Sequence, residues 1–457
     1  MDATNAAIST AMSASGIGIV RISGENAMDV IAKIYRSKNG KKDIHTVVSH
    51  TIHYGFIYDG EEVVDEVLVM IMRGPHTYTG EDTVEIDCHG GVYAMKRVLE
   101  TVLKNGAVIA EPGEFTKRAF LNGRLDLSQA EAVMDVIQAK NSMALKSSVE
   151  QLKGSVQRAV KEIRARLLHQ IAYIETALDD PEHFDLTDYP QELQKIVEKE
   201  SENISELLKT ADDGRMIQEG IKTVILGKPN AGKSSLLNLL IGENRAIVTD
   251  IAGTTRDILE EYITLHGISL KIIDTAGIRE TKDIVEKIGV DRAREMAQKA
   301  DLILYVVDSS VPLDENDEEI MEMLTGKKAI ILYNKTDLQP EIQPEILKEK
   351  TGHPVIPISA KEEKGITELE EQIKDMFFGG EISFNDEVYI TNARHKAALE
   401  EADRSLDLVR NSIERGMPED FFSIDLMNAY ENLGKILGES VGEDLVNEIF
   451  SKFCMGK

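Results

Sequence analysis

The spacing of apolar residues changes three times along the chain of 457 residues. In roughly the first hundred positions the apolar runs are short and rich in β-branched residues. Gly16–Ser23 (GIGIVRIS), Glu66–Arg73 (EVLVMIMR) and Asp82–Gly91 (DTVEIDCHGG) each read as strands. VYAMKRVLETVLKNGA predicts an amphipathic helix stopped by Gly106. From Asp126 to Asp213 apolar residues recur at three and four, the period of helix hairpins. Ser128 with Glu131 predicts a capping box there, Pro181 and Pro190 bracket a break, and a further helix begins at QELQKIVEK. From Gly220 to Phe378 apolar strands alternate with loops and helices: KTVILG, SLKIIDTAG, ADLILYVVD, KAIILYNKTD and HPVIPISA. That alternation predicts a doubly wound parallel sheet. Helical spacing returns from Asn392 to Phe453. The expected architecture is a mixed α/β N-terminal domain (1–121), a helical-bundle domain in two halves (122–215 and 381–457), and an α/β domain (216–380) inserted between those halves.

Composition narrows the class. The chain is 42% hydrophobic and 29% charged, enough to bury a core. It has no apolar run long enough for a membrane helix, and its first twenty residues lack the basic and apolar regions of a signal peptide. Two cysteines build no disulfide framework, so a reducing, cytoplasmic location is the expectation. A net charge of −28 favours solubility and repels nucleic acid at long range. An RNA partner therefore needs a local basic patch or a basic helper protein, and neither DNA nor a membrane is an expected partner.

Four motifs carry chemistry. GKPNAGKSS, Gly227–Ser235, lies between a strand and a helix and matches the phosphate-binding loop G-x-x-x-x-G-K-[ST]. Its glycines turn backbone N–H groups toward a phosphate, and the helix N-terminus adds its dipole. Asn230, Ala231, Gly232 and Ser235 line the loop, Lys233 reaches the β/γ-phosphates, and Ser234 reaches Mg²⁺. DTAG (Asp274, Thr275, Ala276, Gly277) ends an apolar strand, where the carboxylate supports Mg²⁺ through water and the glycine N–H meets a γ-phosphate. NKTD supplies Asn334, Lys335 and Asp337. A carboxylate at Asp337 accepts from guanine N1–H and N2–H₂, donors that adenine does not pair, so GTP is the expected nucleotide. SAK (Ser359, Ala360, Lys361) completes the base pocket. TDIAGTT (Thr249, Asp250, Ile251, Ala252, Gly253, Thr254, Thr255) reads as a nucleotide-sensing switch loop, with Thr255 a second Mg²⁺ ligand.

With these motifs, GEFTKRAFLNGRLDLSQAEAV (Gly113–Val133), DCHGG (Asp87–Gly91) and the terminal FCMGK (Phe453–Lys457), the chain resembles the translation-factor-related GTPases, and more narrowly the MnmE (TrmE) family of tRNA-modification GTPases, over essentially its whole length. The position after Gly277, where many GTPases hold a water-orienting glutamine, is Ile278, and Arg256 and Arg279 are the nearest candidates for an arginine finger. The resemblance implies instead that GTPase domains meet across K⁺, held by Asn230 and by Thr249, Ile251 and Thr254, and that Glu286 orients the water. It implies a folate-binding-like N-terminal domain that forms a homodimer, with a tetrahydrofolate (5-formyl or 5,10-methylene) on Arg21, Glu81, Arg124 and Lys457. It further implies an FAD-dependent MnmG/GidA-type partner and carboxymethylaminomethyl or aminomethyl transfer to C5 of wobble uridine in tRNA. Two other readings stand beside it: a ribosome-assembly GTPase, and a GTP-gated dimerisation scaffold. Cys454 reads either as a nucleophile near the folate or as a small buried residue beside Phe450 and Phe453, because Cys454–Lys457 is a poor prenylation box. Cys88 reads as core.

Overall fold

The computed structural model describes residues 3–40, 42–180, 182–183, 188–243, 261–265, 267–273, 286–378 and 388–457. The chain divides into two compact units, one of Met1–Met134, Gln151–Ala165 and Tyr430–Lys457, the other of Asp135–Glu150 and Arg166–Ala429.

The first unit is built on a seven-stranded sheet. Its strands are β1 (Asn5–Ile8), β2 (Ile17–Ser23), β3 (Tyr35–Ser37), β4 (Thr51–Asp59), β5 (Glu62–Met72), β6 (Thr83–His89) and β7 (Val108–Ile109). Their order is β3-β4-β5-β6-β2-β1-β7, with β1 and β7 parallel and every other neighbour antiparallel. The three expected strands are β2, β5 and β6. The others hide in the sequence because β1 is NAAI, β3 and β7 are only three and two residues long, and β4 carries Gly55. That glycine is required, since a Cβ there would lie 2.5 Å from the Arg36 carbonyl.

Helices Ala27–Ile34 and Val92–Lys104 cover one face of this sheet, Met95 of the second packing in a core with Val20, Ile22, Val69, Ile86 and Cys88. Alternation along β2 therefore sends Arg21 and Ser23 to the opposite face. There Ala7, Ala110 and Phe115 form a second small core with Tyr78 beside it.

The cap of helix Leu127–Gln138 lies two residues earlier than expected. Asp126 accepts from the backbone N–H of Gln129 at 2.9 Å, and Gln129 Oε1 accepts from the Asp126 N–H at 3.2 Å. The capping box is thus Asp126–Gln129, and the expected Ser128–Glu131 box is corrected. Both pairs fit the pattern, but Leu127 is drawn into a core with Phe450 and Phe453, which brings its own turn into the helix.

In the second unit a six-stranded sheet has the order β13-β12-β11-β8-β10-β9. Its members are β8 (Ile221–Leu226), β9 (Glu261–Leu265), β10 (Ile268–Ile272), β11 (Leu302–Asp308), β12 (Ala329–Asn334) and β13 (Val355–Pro357). The five expected strands are all parallel, and β9 pairs antiparallel with β10. The short connection through Gly267, at φ 92°, reverses the chain too tightly for a parallel crossover. Helices cover both faces, so β11 and β12 are buried at every position and read as continuous apolar runs. The long helices Tyr189–Glu219 and Ala393–Glu414 pack on each other in this unit. Among the described residues no helix is long and apolar enough to cross a membrane.

Candidate functional site

The C-terminal ends of the parallel strands carry the first site. The chain leaves β8 at Gly227 (φ 151°), passes Asn230 (φ 63°) and Gly232 (φ 105°), and enters the helix Lys233–Glu243. Two of these glycines are forced by neighbours: a Cβ on Gly227 would sit 2.5 Å from the Val306 carbonyl, and one on Gly232 would sit 2.1 Å from Asn334 Nδ2. The Lys233 ammonium donates to the carbonyls of Gly227 and Lys228 at 2.6 and 2.7 Å. Burial pulls its pKa below the usual lysine value, so the charge is poorly solvated and primed to gain from an anion. Ser234 is half-buried at the helix start, and Ser235 and Asn230 are exposed.

β12 delivers the base motif to the same place. Asn334 is buried, and its amide donates to the Ala231 carbonyl at 2.8 Å and accepts from the Ala360 N–H at 3.2 Å. One side chain thereby joins the phosphate loop to the loop after β13. Ser359 Oγ donates to Asp337 at 2.9 Å, and the exposed Lys361 lies 4.0 Å from the same carboxylate. Lys335, at φ 66°, is ion-paired with Asp308, the last residue of β11. Burial alone would raise the Asp308 pKa, but hydrogen bonds from Lys335 and Ser310 hold it below the usual aspartate value. The arrangement offers a cation at one end, on the phosphate loop, and a fixed carboxylate at the other, on the base motif.

The second site lies in the first unit, around Tyr78. The guanidinium of Arg21 stands 5.4 Å from the Tyr78 ring centroid, that of Arg124 4.9 Å, and the ammonium of Lys457 5.7 Å. Arg21 is tied to Glu85 at 2.7 Å and donates to the Gly456 carbonyl at 3.1 Å, which fastens the C-terminal residues to β2. Gly456 also receives the Ser9 hydroxyl, and its φ of 82° with a Cβ clash at Ile8 (2.5 Å) admits only glycine. Burial and then the nearby Arg21 charge lower the Lys457 pKa. Glu81 is held by Arg118 at 3.1 Å and by Ser23 Oγ at 2.9 Å. Three cations thus stand around one aromatic ring.

Residues 4–124 match the family model described as the GTP-binding protein TrmE N-terminus, and residues 127–454 match the model of the MnmE helical domain. The chain belongs to the MnmE family of tRNA modification GTPases. It is 60% identical over 454 residues to the tRNA modification GTPase MnmE of Lachnoclostridium phytofermentans, covering 99% of each chain. It is 50% identical over 458 residues to that of Geobacillus kaustophilus, again with 99% of each covered. Against that of Bacillus subtilis the identity is 46% over 460 residues, covering 99% of this chain and 100% of the relative.

Within this MnmE-family chain, the expected loop and base residues Asn230–Ser235, Asn334, Lys335, Asp337 and Ser359–Lys361 come together at one set of strand ends. Arg21, Arg124 and Lys457 converge on Tyr78, with Glu81 engaged by Arg118. Thr249–Thr255, Arg256, Asp274–Gly277, Ile278 and Arg279 lie outside the described residues. Glu286 opens the helix Glu286–Lys299, and its side chain lies outside the description too. Cys88 is buried, its thiol pushed up to about 11 by burial, as a core residue should be. Cys454 is exposed, which removes the reading of it as a buried hydrophobe. Tyr78, Arg118, Glu85 and Asp308 were not singled out in the sequence; Arg118 lies inside FTKRAF, but nothing there marks it as the partner of Glu81. Among the described residues no group of three or more His, Cys, Asp and Glu is placed to hold a metal.

Proposed function

We propose that the chain binds GTP at the strand ends of its second unit and hydrolyses it to GDP and phosphate in the service of tRNA modification. The observation that carries the reading is the Asn334 bridge, which fixes the base motif to the phosphate loop through Ala231 and Ala360. In this reading Asp337 takes the guanine N–H donors, Ser359 orients that carboxylate, and Lys233 leaves part of its carbonyl contact for the phosphates. The half-buried Ser234 hydroxyl at the helix start suits Mg²⁺, which Ser234 and Thr255 would hold together with phosphate oxygens. Mg²⁺ would neutralise charge on the β- and γ-phosphates.

The exposed, left-handed Asn230 suits a monovalent cation contact from its side-chain oxygen. Asn230, with Thr249, Ile251 and Thr254, would hold K⁺, whose charge would serve in place of an arginine finger when two copies meet, and Glu286 would position the water. The Tyr78 site takes a tetrahydrofolate, 5-formyl or 5,10-methylene. Arg21, Arg124 and Lys457 would hold its glutamate carboxylates, and Glu81 would accept from the pterin. A homodimer working with an FAD-dependent MnmG/GidA-type partner then modifies C5 of the wobble uridine with a carboxymethylaminomethyl or aminomethyl group. The acidity of the chain fits a division of labour in which the partner holds most of the tRNA. The deciding experiment is mass spectrometry of wobble nucleosides from cells lacking this protein: loss of the C5 substituent is expected, and an unchanged nucleoside profile refutes the tRNA assignment. Turnover equally fast in sodium and potassium would remove the K⁺ step.

A further inference from the structure

The chain leaving β11 grips both halves of the nucleotide site. At its start, Asp308 is ion-paired with Lys335 of the base motif. Six residues on, Asp314 and Asp317 take the ammonium of Lys228, the second residue of the phosphate loop, at 3.0 and 2.7 Å. Asp317 is 1% exposed, and it also accepts the Tyr305 hydroxyl at 2.7 Å and the Asp314 N–H at 3.0 Å. Asp314 caps the helix Glu315–Met323 through one oxygen, accepting from the N–H groups of Asn316 and Asp317, and gives the other to Lys228. Burial opposes the charge on Lys228, but its hydrogen bonds to Asp317 and Asp314 prevail and its pKa lies above the usual lysine value. The backbone carbonyl of this same Lys228 receives the Lys233 ammonium. One residue thus holds Lys233 by its main chain and a helix N-terminus by its side chain.

We propose that Lys228, Asp314 and Asp317 are positioning residues for the phosphate loop, and that the Asp308–Asp317 segment is a clasp that sets this loop against the base motif before nucleotide arrives. The inference rests on reading this site as a GTP site. A loop that must wrap a phosphate with its own N–H groups loses affinity for every residue it has to order on binding. The clasp does that ordering in advance. It anchors the loop at Lys228 by charge, as Asn334 anchors it at Ala231 by amide. Without Lys228 the buried Asp317 loses its cation partner, so removing Lys228 should move the loop as well as free it.

The test is binding of mant-GDP with Mg²⁺ to the full chain. Lys228→Met is expected to raise Kd about 10- to 50-fold, chiefly through faster dissociation, and to raise KM for GTP by a similar factor while kcat falls less than about threefold. Lys228→Arg, which keeps the charge, should stay within about threefold of the natural protein. Lys350→Met breaks an exposed surface pair with Glu318 (3.5 Å) and should leave Kd unchanged. A folded Lys228→Met that binds within about twofold of the natural protein overturns the clasp. So does a lower fraction of binding-competent protein with unchanged Kd, the mark of general destabilisation alone. If Lys228→Met does not fold, Asp314→Asn, on a half-exposed side chain, takes its place, with about a 3- to 10-fold weakening expected and less than twofold overturning the proposal. If the natural protein itself fails to bind mant-GDP, the GTP reading fails and the clasp falls with it.

Discussion

The nucleotide site and the Tyr78 site solve opposite assembly problems. The first hangs from neighbouring strand ends of one parallel sheet, and each contributing stretch is contiguous: a loop of nine residues, a tetrapeptide, a tripeptide. Strand geometry alone brings them together. The second gathers Arg21, Tyr78, Glu81, Arg124 and Lys457 from across the length of the chain, with Gly456 fastened to Arg21 and Ser9. The first site is redundant in backbone and dependent on few side chains. The second distributes its charge over three cations around one ring. Loss of a single residue should therefore be severe in one and graded in the other.

The sharpest way to break that contrast is Lys233→Ala. It removes the ammonium that rests on the Gly227 and Lys228 carbonyls and should lower GTP turnover by about 10³-fold or more, measured as phosphate release. A drop under tenfold would make the loop as tolerant as the Tyr78 site. Next in size, Asp337→Asn exchanges an acceptor for a donor and should turn preference from GTP toward XTP by about 10²-fold or more in a nucleotide-competition assay. Unchanged selectivity would remove Asp337 from base recognition. At the Tyr78 site the steps are smaller. Arg21→Gln should weaken 5-formyl-tetrahydrofolate about 10- to 30-fold by calorimetry, and Tyr78→Leu about 3- to 10-fold. Equal, complete loss in both would show a cooperative site rather than a distributed one.

Proton linkage gives a finer measurement. Burial and Arg21 lower the Lys457 pKa, so an anion bound there raises it again. If folate rests there, its binding should take up a proton near that lowered value, and affinity should fall as pH rises through it, below the ordinary lysine pKa of about 10.4. Calorimetry in buffers of different ionisation enthalpy checks it. A binding enthalpy independent of buffer, together with affinity flat from about pH 7 to 10, would exclude Lys457 from the contact. The smallest effect lies beside both arguments. Asn5 is wholly buried, and among the described residues neither end of its amide finds a partner. Asn5→Leu should stabilise the first unit by about 1–3 kcal/mol in denaturant unfolding, and a destabilised variant would mean that the amide is satisfied in solution.

Legibility followed the same divide. The α/β layers and the nucleotide motifs could be read because buried parallel strands are apolar at every position, and because the phosphate and base motifs need fixed residues at fixed spacing. Lys228 and Asp317 escaped notice: a lysine in a loop and an aspartate in a helix look like solvated charges until packing shows one of them dry. The strands β1, β3 and β7 escaped because they are too short to show a period. The shifted cap at Asp126 escaped because two overlapping patterns compete, and only the burial of Leu127 decides between them. Tyr78 carries no motif of its own. Its role follows from three distant cations meeting over it.

Gly232 makes Asn334 a hostage to its own neighbourhood. Any side chain at position 232 collides with the Asn334 amide, and displacing that amide releases Ala231 on one side and Ala360 on the other. Over generations these positions can drift only in concert, because each single step passes through a chain with its nucleotide pocket unhinged. A designer hoping to retune base preference would do well to redraw all of them in a single stroke, or leave them alone and work outward from Asp337.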